Sequence, residues 1–220
     1  EIKEAVLTLH GLASKLRKKR FAAGAISFER PEMKVEVDEK GRPVNVYQKV
    51  TKEANWLIEE FMLLANRIVA TEIGKKKRQD QDAIHSSDAK PFVYRVHDNP
   101  DPEKIGKLSQ FIKRFGFNLK LSSNSKTTHK HINALLDDCQ GKPAQTLIET
   151  LTTRAMAKAV YSTDNIGHYG LAFPYYTHFT SPIRRYPDMM VHRLLAHYLD
   201  KGKSEDKKRY EELCKHSSAR

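Results

Sequence analysis

Only two cysteines, Cys139 and Cys214, occur in the 220-residue chain. They are too few to staple a fold and fit a reducing compartment, the cytoplasm. No apolar run approaches the ~20 residues that a membrane-spanning helix needs, and no signal-peptide pattern is visible. Metal-binding spacings are missing too: there is no HExxH, and neither cysteine lies in a CxxC or CxxxC pair. His168, His178, His192 and His197 therefore read as packed or hydrogen-bonded groups and not as a zinc set. No low-complexity tract, internal repeat or linker divides the chain, so one domain is expected. The chain opens on Glu1 and stops at Arg220 in a polar, helical-looking stretch, which reads as a piece of a longer protein. Against 39 Lys and Arg stand only 27 Asp and Glu, a net charge of +12, with a pI of about 9.6. That excess points to a polyanionic partner, nucleic acid before membrane; a merely soluble basic protein is the alternative.

Periodicity predicts a mixed α/β (α+β) unit. Residues 1–20 read as a helix with Leu9, Leu12 and Leu16 on one face and Arg17 to Arg20 at its C-terminal end, where cations are favoured. Met33, Val35 and Val37 alternate, a Glu39-Lys40-Gly41 turn follows, and Val44 and Val46 alternate again: a β-hairpin. From Lys52 to Ile73 runs the most apolar helix. Leu57, Phe61, Leu64 and Ile68 form one stripe, Ile58, Met62, Ala65 and Val69 a second, an arc wide enough for a core helix. Gly74 closes it, and the basic run Lys75 to Arg78 reads as a solvated loop. A strand is expected over 92–97, and Asp101-Pro102-Glu103 should cap a helix whose face is Ile105, Leu108, Ile112 and Phe115. Further helices are expected over 127–138 and 143–160.

The stretch from His168 to His192 carries the strongest functional pattern. Ser181-Pro182 reads as a helix start, because serine caps orphan amides and proline is tolerated at the first helical position. Arg184 and Arg185 follow at once, although a helix N-terminus prefers anions. Two guanidinium forks beside exposed amides would make a phosphate site. On spacing alone, arginines paired with carboxylates elsewhere explain the pattern equally well. The two arginines point about 100° apart on a helix, so they need not share a role.

The run Tyr176-Thr177-His178-Phe179-Thr180-Ser181-Pro182-Ile183-Arg184-Arg185-Tyr186-Pro187-Asp188, with His168-Tyr169-Gly170-Leu171 ahead and His192 behind, resembles the signature of the RNB family. These are processive 3'-to-5' exoribonucleases, and the likeness is nearest to the ribonuclease R branch. GAISFERPE, LIEEFMLLAN and PFVYRVHDNPDPEKI extend the resemblance, in order, over nearly the whole chain.

The resemblance implies an RNB catalytic domain, incomplete at both ends, that acts on single-stranded RNA with catalytic magnesium. The aspartate cluster that binds Mg2+ would lie upstream of Glu1, and a further glutamate and an OB-fold domain beyond Arg220. Asp80 and Asp82, or Asp137 and Asp138, cannot replace that cluster, so the isolated chain is expected to be inactive. Arg184 matches the family's catalytic arginine, whose planar fork can hold two phosphate oxygens at any working pH. Phe28 matches a ring that stacks on RNA bases, although from the residues alone hairpin core is the better reading. Glu59 matches a ribose-hydroxyl contact, with Glu60 the weaker candidate; a snorkelling surface carboxylate is the plain alternative. Tyr176, Thr180, Ser181 and Arg185 are candidate RNA contacts, although the hydroxyls could equally serve the helix start. The rival reading is a non-catalytic single-stranded RNA-binding module with an RNB-like fold.

Overall fold

The computed structural model describes residues 1–26, 32–75, 90–120 and 125–220. Phe28, the basic run beyond Lys75, Asp80 and Asp82 lie outside the described residues. Among the described residues helices outweigh strands, and the strands form two small antiparallel pairs, as the α+β reading expects.

Helix α1 (Ile2–Ala22) stands largely in solvent. Its expected face is not buried: Leu9 and Leu12 are exposed, and only Ala13 and Arg20 are covered. The hairpin forms as expected from β1 (Glu32–Val37) and β2 (Pro43–Lys49), with Val35 opposite Val46. Asp38 shapes its turn: its Oδ1 accepts from the amides of Lys40 and Arg42 at 2.9 and 2.8 Å, and Gly41 takes φ 75°.

Helix α2 (Glu53–Gly74) departs from the core-helix expectation. Ile58 and Ile68 are more than half exposed, and the buried line runs through Glu60, Leu63, Asn66 and Ala70. That line has helical spacing, but two of its members are polar, so a count of apolar residues misplaces it. They are buried because each meets a specific partner, described below.

The largest apolar core lies among α3 (Pro102–Ile112), α4 (Ser125–Cys139) and α5 (Gln145–Ala155), around Ile112, Ile132 and Ile148. The expected cap of α3 is present: Asp101 Oδ1 accepts from the Glu103 amide at 2.9 Å, with Pro102 in the first turn. Phe115, expected on the buried face, is exposed beyond the helix end. Helix α5 ends five residues short of expectation, since Val160 opens strand β4 (Val160–Ser162). That strand pairs with β3 (Tyr94–Val96), Tyr161 opposite Arg95. A second core joins β3 and Ala70 of α2 to α6 (Tyr186–Leu199) and α7 (Lys207–Ala219). Both cysteines are free and buried, one in each core. Gly74 has no room for a side chain: a Cβ there would sit 2.7 Å from the Tyr175 ring.

No described helix is long and apolar enough to cross a membrane.

Candidate functional site

Helix α6 does not begin at Ser181-Pro182. The amides of Arg184 and Arg185 both bond Ser181 O, at 3.3 and 3.1 Å, closing a single turn. The helix then starts at Tyr186 with Arg185 at its N-cap, and Pro187, not Pro182, occupies the first turn. Pro187 lies five residues beyond Pro182, and it is the later proline that falls in the first turn.

Asp188 explains that choice. It is fully buried, and its Oδ1 accepts from the Ser181 amide at 2.8 Å and from Arg185 Nη2 at 2.8 Å. A carboxylate held so deep needs both partners, because an unpaired buried charge is costly. One side chain therefore pins the start and the end of the turn. Arg185 is the carboxylate-paired arginine. Arg184 stands exposed, its Nη2 donating to Ser181 Oγ at 3.3 Å. Ile183 at the turn's apex is fully exposed.

The 176–185 segment forms one wall of a cavity of ≈ 380 Å³, with Tyr176, Thr180 and Arg185 facing it. The opposite wall is α2, through Asn55, Ile58, Glu59, Met62, Leu63 and Asn66. Asn66 ties the walls together. Its amide donates to Tyr176 Oη at 3.2 Å, and its carbonyl oxygen accepts from the Phe179 amide at 3.0 Å. Asn66 is the specific partner that makes a polar residue on the buried line of α2 tenable.

Four of the expected site residues thus meet at one cavity: Glu59, Tyr176, Thr180 and Arg185. Ser181 and Arg184 lie on the adjoining turn without lining it, and Phe28 falls outside the described residues. Thr180 Oγ1 and Arg185 Nε are buried without a hydrogen-bond partner among the described residues. Each such atom costs about 1 to 3 kcal/mol of lost solvation. A ligand acceptor at this wall would satisfy both. Sequence reasoning missed Asn66, Asp188 and Arg20; Glu60, the weaker candidate for the ribose contact, is buried against Arg20. Asp188 and Asn66 stood inside quoted motifs, but nothing in spacing marks a residue that works by holding others.

Titratable groups behind the wall are held neutral. Burial, then the charge of Arg185 and Arg95, pushes His178 down to about 4. Its Nδ1 shares a hydrogen bond with Tyr161 Oη at 2.8 Å. Burial also lowers His168 to about 3, with His97 beside it as the next cause, and raises Tyr176. His192 donates to Phe179 O at 2.9 Å and stacks on that ring. These histidines are structural. Among the described residues no group of three His, Cys, Asp or Glu could hold a metal ion, so the described residues do not fit a metal site.

The cavity mixes apolar side chains (Ile58, Met62, Leu63) with polar ones (Asn55, Glu59, Asn66, Thr180, Arg185), and an exposed arginine stands on the pinned turn beside it. Comparison with known proteins names the class. Residues 1–201 match the RNB domain, and the chain belongs to the RNB family. It is 42% identical over 181 residues to Ribonuclease R of Aquifex aeolicus, covering 82% of this chain and 24% of that protein. Ribonuclease R of Thermotoga maritima is 42% identical over 192 residues, 87% of this chain and 25% of that one. The structure of Mycoplasma genitalium RNase R in complex with ribose methylated single-stranded RNA matches with a TM-score of 0.78 at 25% identity, over 99% of this chain and 32% of that chain. The chain spans about a quarter of the length of these curated relatives.

Proposed function

We propose that the whole protein carrying this chain is a 3'-to-5' exoribonuclease that releases nucleoside 5'-monophosphates processively. The observation that carries the reading is the turn 181–185: Asp188 binds Arg185 and the Ser181 amide and so presents Arg184 to solvent beside the cavity. In an RNB-family chain, that arrangement suits a strand whose ribose lies in the cavity and whose phosphate meets Arg184.

Each residue then has a physical task. Arg184 neutralises charge that develops on the scissile phosphate, and a guanidinium fork already in place needs no reorganisation during reaction. Glu59 accepts from a ribose hydroxyl, a contact that deoxyribose cannot make. Thr180 and Arg185 offer their unpaired buried donors to the backbone, Tyr176 shapes the same wall, and Ser181 receives Arg184 on the adjoining turn. Phe28 is assigned base stacking on the family resemblance. Magnesium is the metal we assign to the reaction, held outside the described residues. The cytoplasm is the location that best suits two buried free thiols.

The test is digestion of a labelled single-stranded oligoribonucleotide with magnesium at neutral pH. The whole protein should shorten it from the 3' end to mononucleotides, and the isolated 220-residue chain should leave it intact. Binding without shortening by the whole protein would instead identify a non-catalytic RNA-binding module. Affinity that does not fall as salt rises would remove RNA from the account, since phosphate contacts release counterions.

A further inference from the structure

Glu59 and Glu60 are neighbours on α2, so their side chains leave the helix about 100° apart. Glu60 turns into the α1–α2 contact and is buried, while Glu59 turns to the cavity and its side chain is 45% exposed. One guanidinium reaches both. Arg20, in the last turn of α1, is itself buried at 6% exposure. Its Nε lies 3.1 and 3.4 Å from the two Glu60 oxygens, and its Nη2 also donates to Glu60 Oε1. The same Nη2 donates to Glu59 Oε1 at 3.0 Å.

The surroundings leave Arg20 little freedom. Its guanidinium packs against the Phe21 ring at 4.8 Å. Arg17 flanks the pair, 3.9 Å from Glu60 and 4.6 Å from the centre of the Trp56 ring. A glutamate at a cavity edge would otherwise sample several rotamers, and ordering it on ligand binding would lower affinity. Here the rotamer is set before a ligand arrives, and Oε2 of Glu59 has no partner among the described residues. Only arginine can do this, because its fork carries several donors in one plane, whereas lysine offers a point charge.

We propose that Arg20 is a positioning residue for ribose recognition: it is clamped by buried Glu60 and holds the Glu59 carboxylate with one oxygen free toward the cavity. The inference rests on the reading of Glu59 as the ribose contact. A purely structural Arg20 would tie α1 to α2 and nothing more.

The experiment measures kcat/KM on matched RNA and DNA oligonucleotides with the whole protein, and takes their ratio. Glu59→Gln establishes whether Glu59 discriminates. Arg20→Met combined with Glu60→Met removes the clamp while leaving no buried charge unpaired, a replacement that folds are known to tolerate. That double variant should lose discrimination by the same factor as Glu59→Gln, on the order of tenfold for one charge-assisted hydrogen bond. Adding Glu59→Gln to it should change the ratio no further, because both act through one contact. Arg20→Lys, which keeps the charge and the fold, should lose part of the discrimination. A wild-type ratio in both Arg20 variants, with Glu59→Gln impaired, would overturn the inference. An unchanged ratio in Glu59→Gln would overturn the ribose reading beneath it.

Discussion

Around Ile132 the interior is almost entirely hydrocarbon, contributed by α3, α4 and α5. Around Asp188 it is built from a carboxylate, a guanidinium, backbone amides, an asparagine and two tyrosines. Both regions are buried, yet they are held by different forces. Apolar packing is non-directional and tolerates changes of shape that conserve volume. A buried polar set has few arrangements that pair its donors with acceptors, so it fixes atoms in place; here Thr180 Oγ1, Arg185 Nε and Asp188 Oδ2 are left without a partner among the described residues. The cavity and Arg184 stand on the second kind of interior.

The largest effect should come from the polar side. Asp188→Ala leaves Arg185 and the Ser181 amide without their acceptor and should destabilise the fold by about 3 to 5 kcal/mol. Denaturant melts would read it, and a loss under about 1 kcal/mol would mean that the turn is not pinned as described. Next comes Ile132→Ala, which should cost about 2 to 5 kcal/mol through a cavity in the apolar core. In the whole protein, assayed well below its Tm, Ile132→Ala should keep its kcat, while Asp188→Asn, which preserves shape, should lose much of it. Equal loss of activity in the two would erase the distinction between the regions.

A smaller effect is expected from pH. His178, lowered from 6.5 to about 4, is neutral in the folded state and binds a proton more readily once unfolded. The unfolded chain then holds more protons, so stability is full above pH about 6.5 and falls as pH drops toward about 4. His168, lowered to about 3 by burial, acts in the same direction. Thermal melts across that window should show the decline, and His178→Asn should make it shallower. A slope unaltered by the substitution would place the effect elsewhere.

What the sequence disclosed follows the same division. The Asp101-Pro102-Glu103 cap and the hairpin pairing of Val35 with Val46 are local, and both were legible. The buried stripe of α2 was misplaced, since Glu60 and Asn66 are polar and their partners lie 40 and 110 residues away. Strand β4 has three residues, too few for alternation to separate it from the end of α5. The true start of α6 depends on Asp188, whose side chain reaches back seven residues to Ser181. Family resemblance named Arg184, Phe28 and Glu59, and left the hydroxyls of Tyr176, Thr180 and Ser181 as candidates. Only the structure distinguished the exposed arginine from the paired one, and only it showed what holds Glu59.

Single-turnover kinetics beside equilibrium RNA binding separate the two roles that Arg184 can play at the phosphate. Arg184→Ala in the whole protein should lower kcat by about 100 to 1000-fold, the typical loss for one preorganised charge donor. The Kd for RNA should stay close to that of the native protein, because the interaction strengthens mainly in the transition state. Arg184→Lys should recover part of the rate and not all of it. A variant whose KM rises while kcat is untouched would make Arg184 a uniform phosphate anchor, and would contradict the role given to it here.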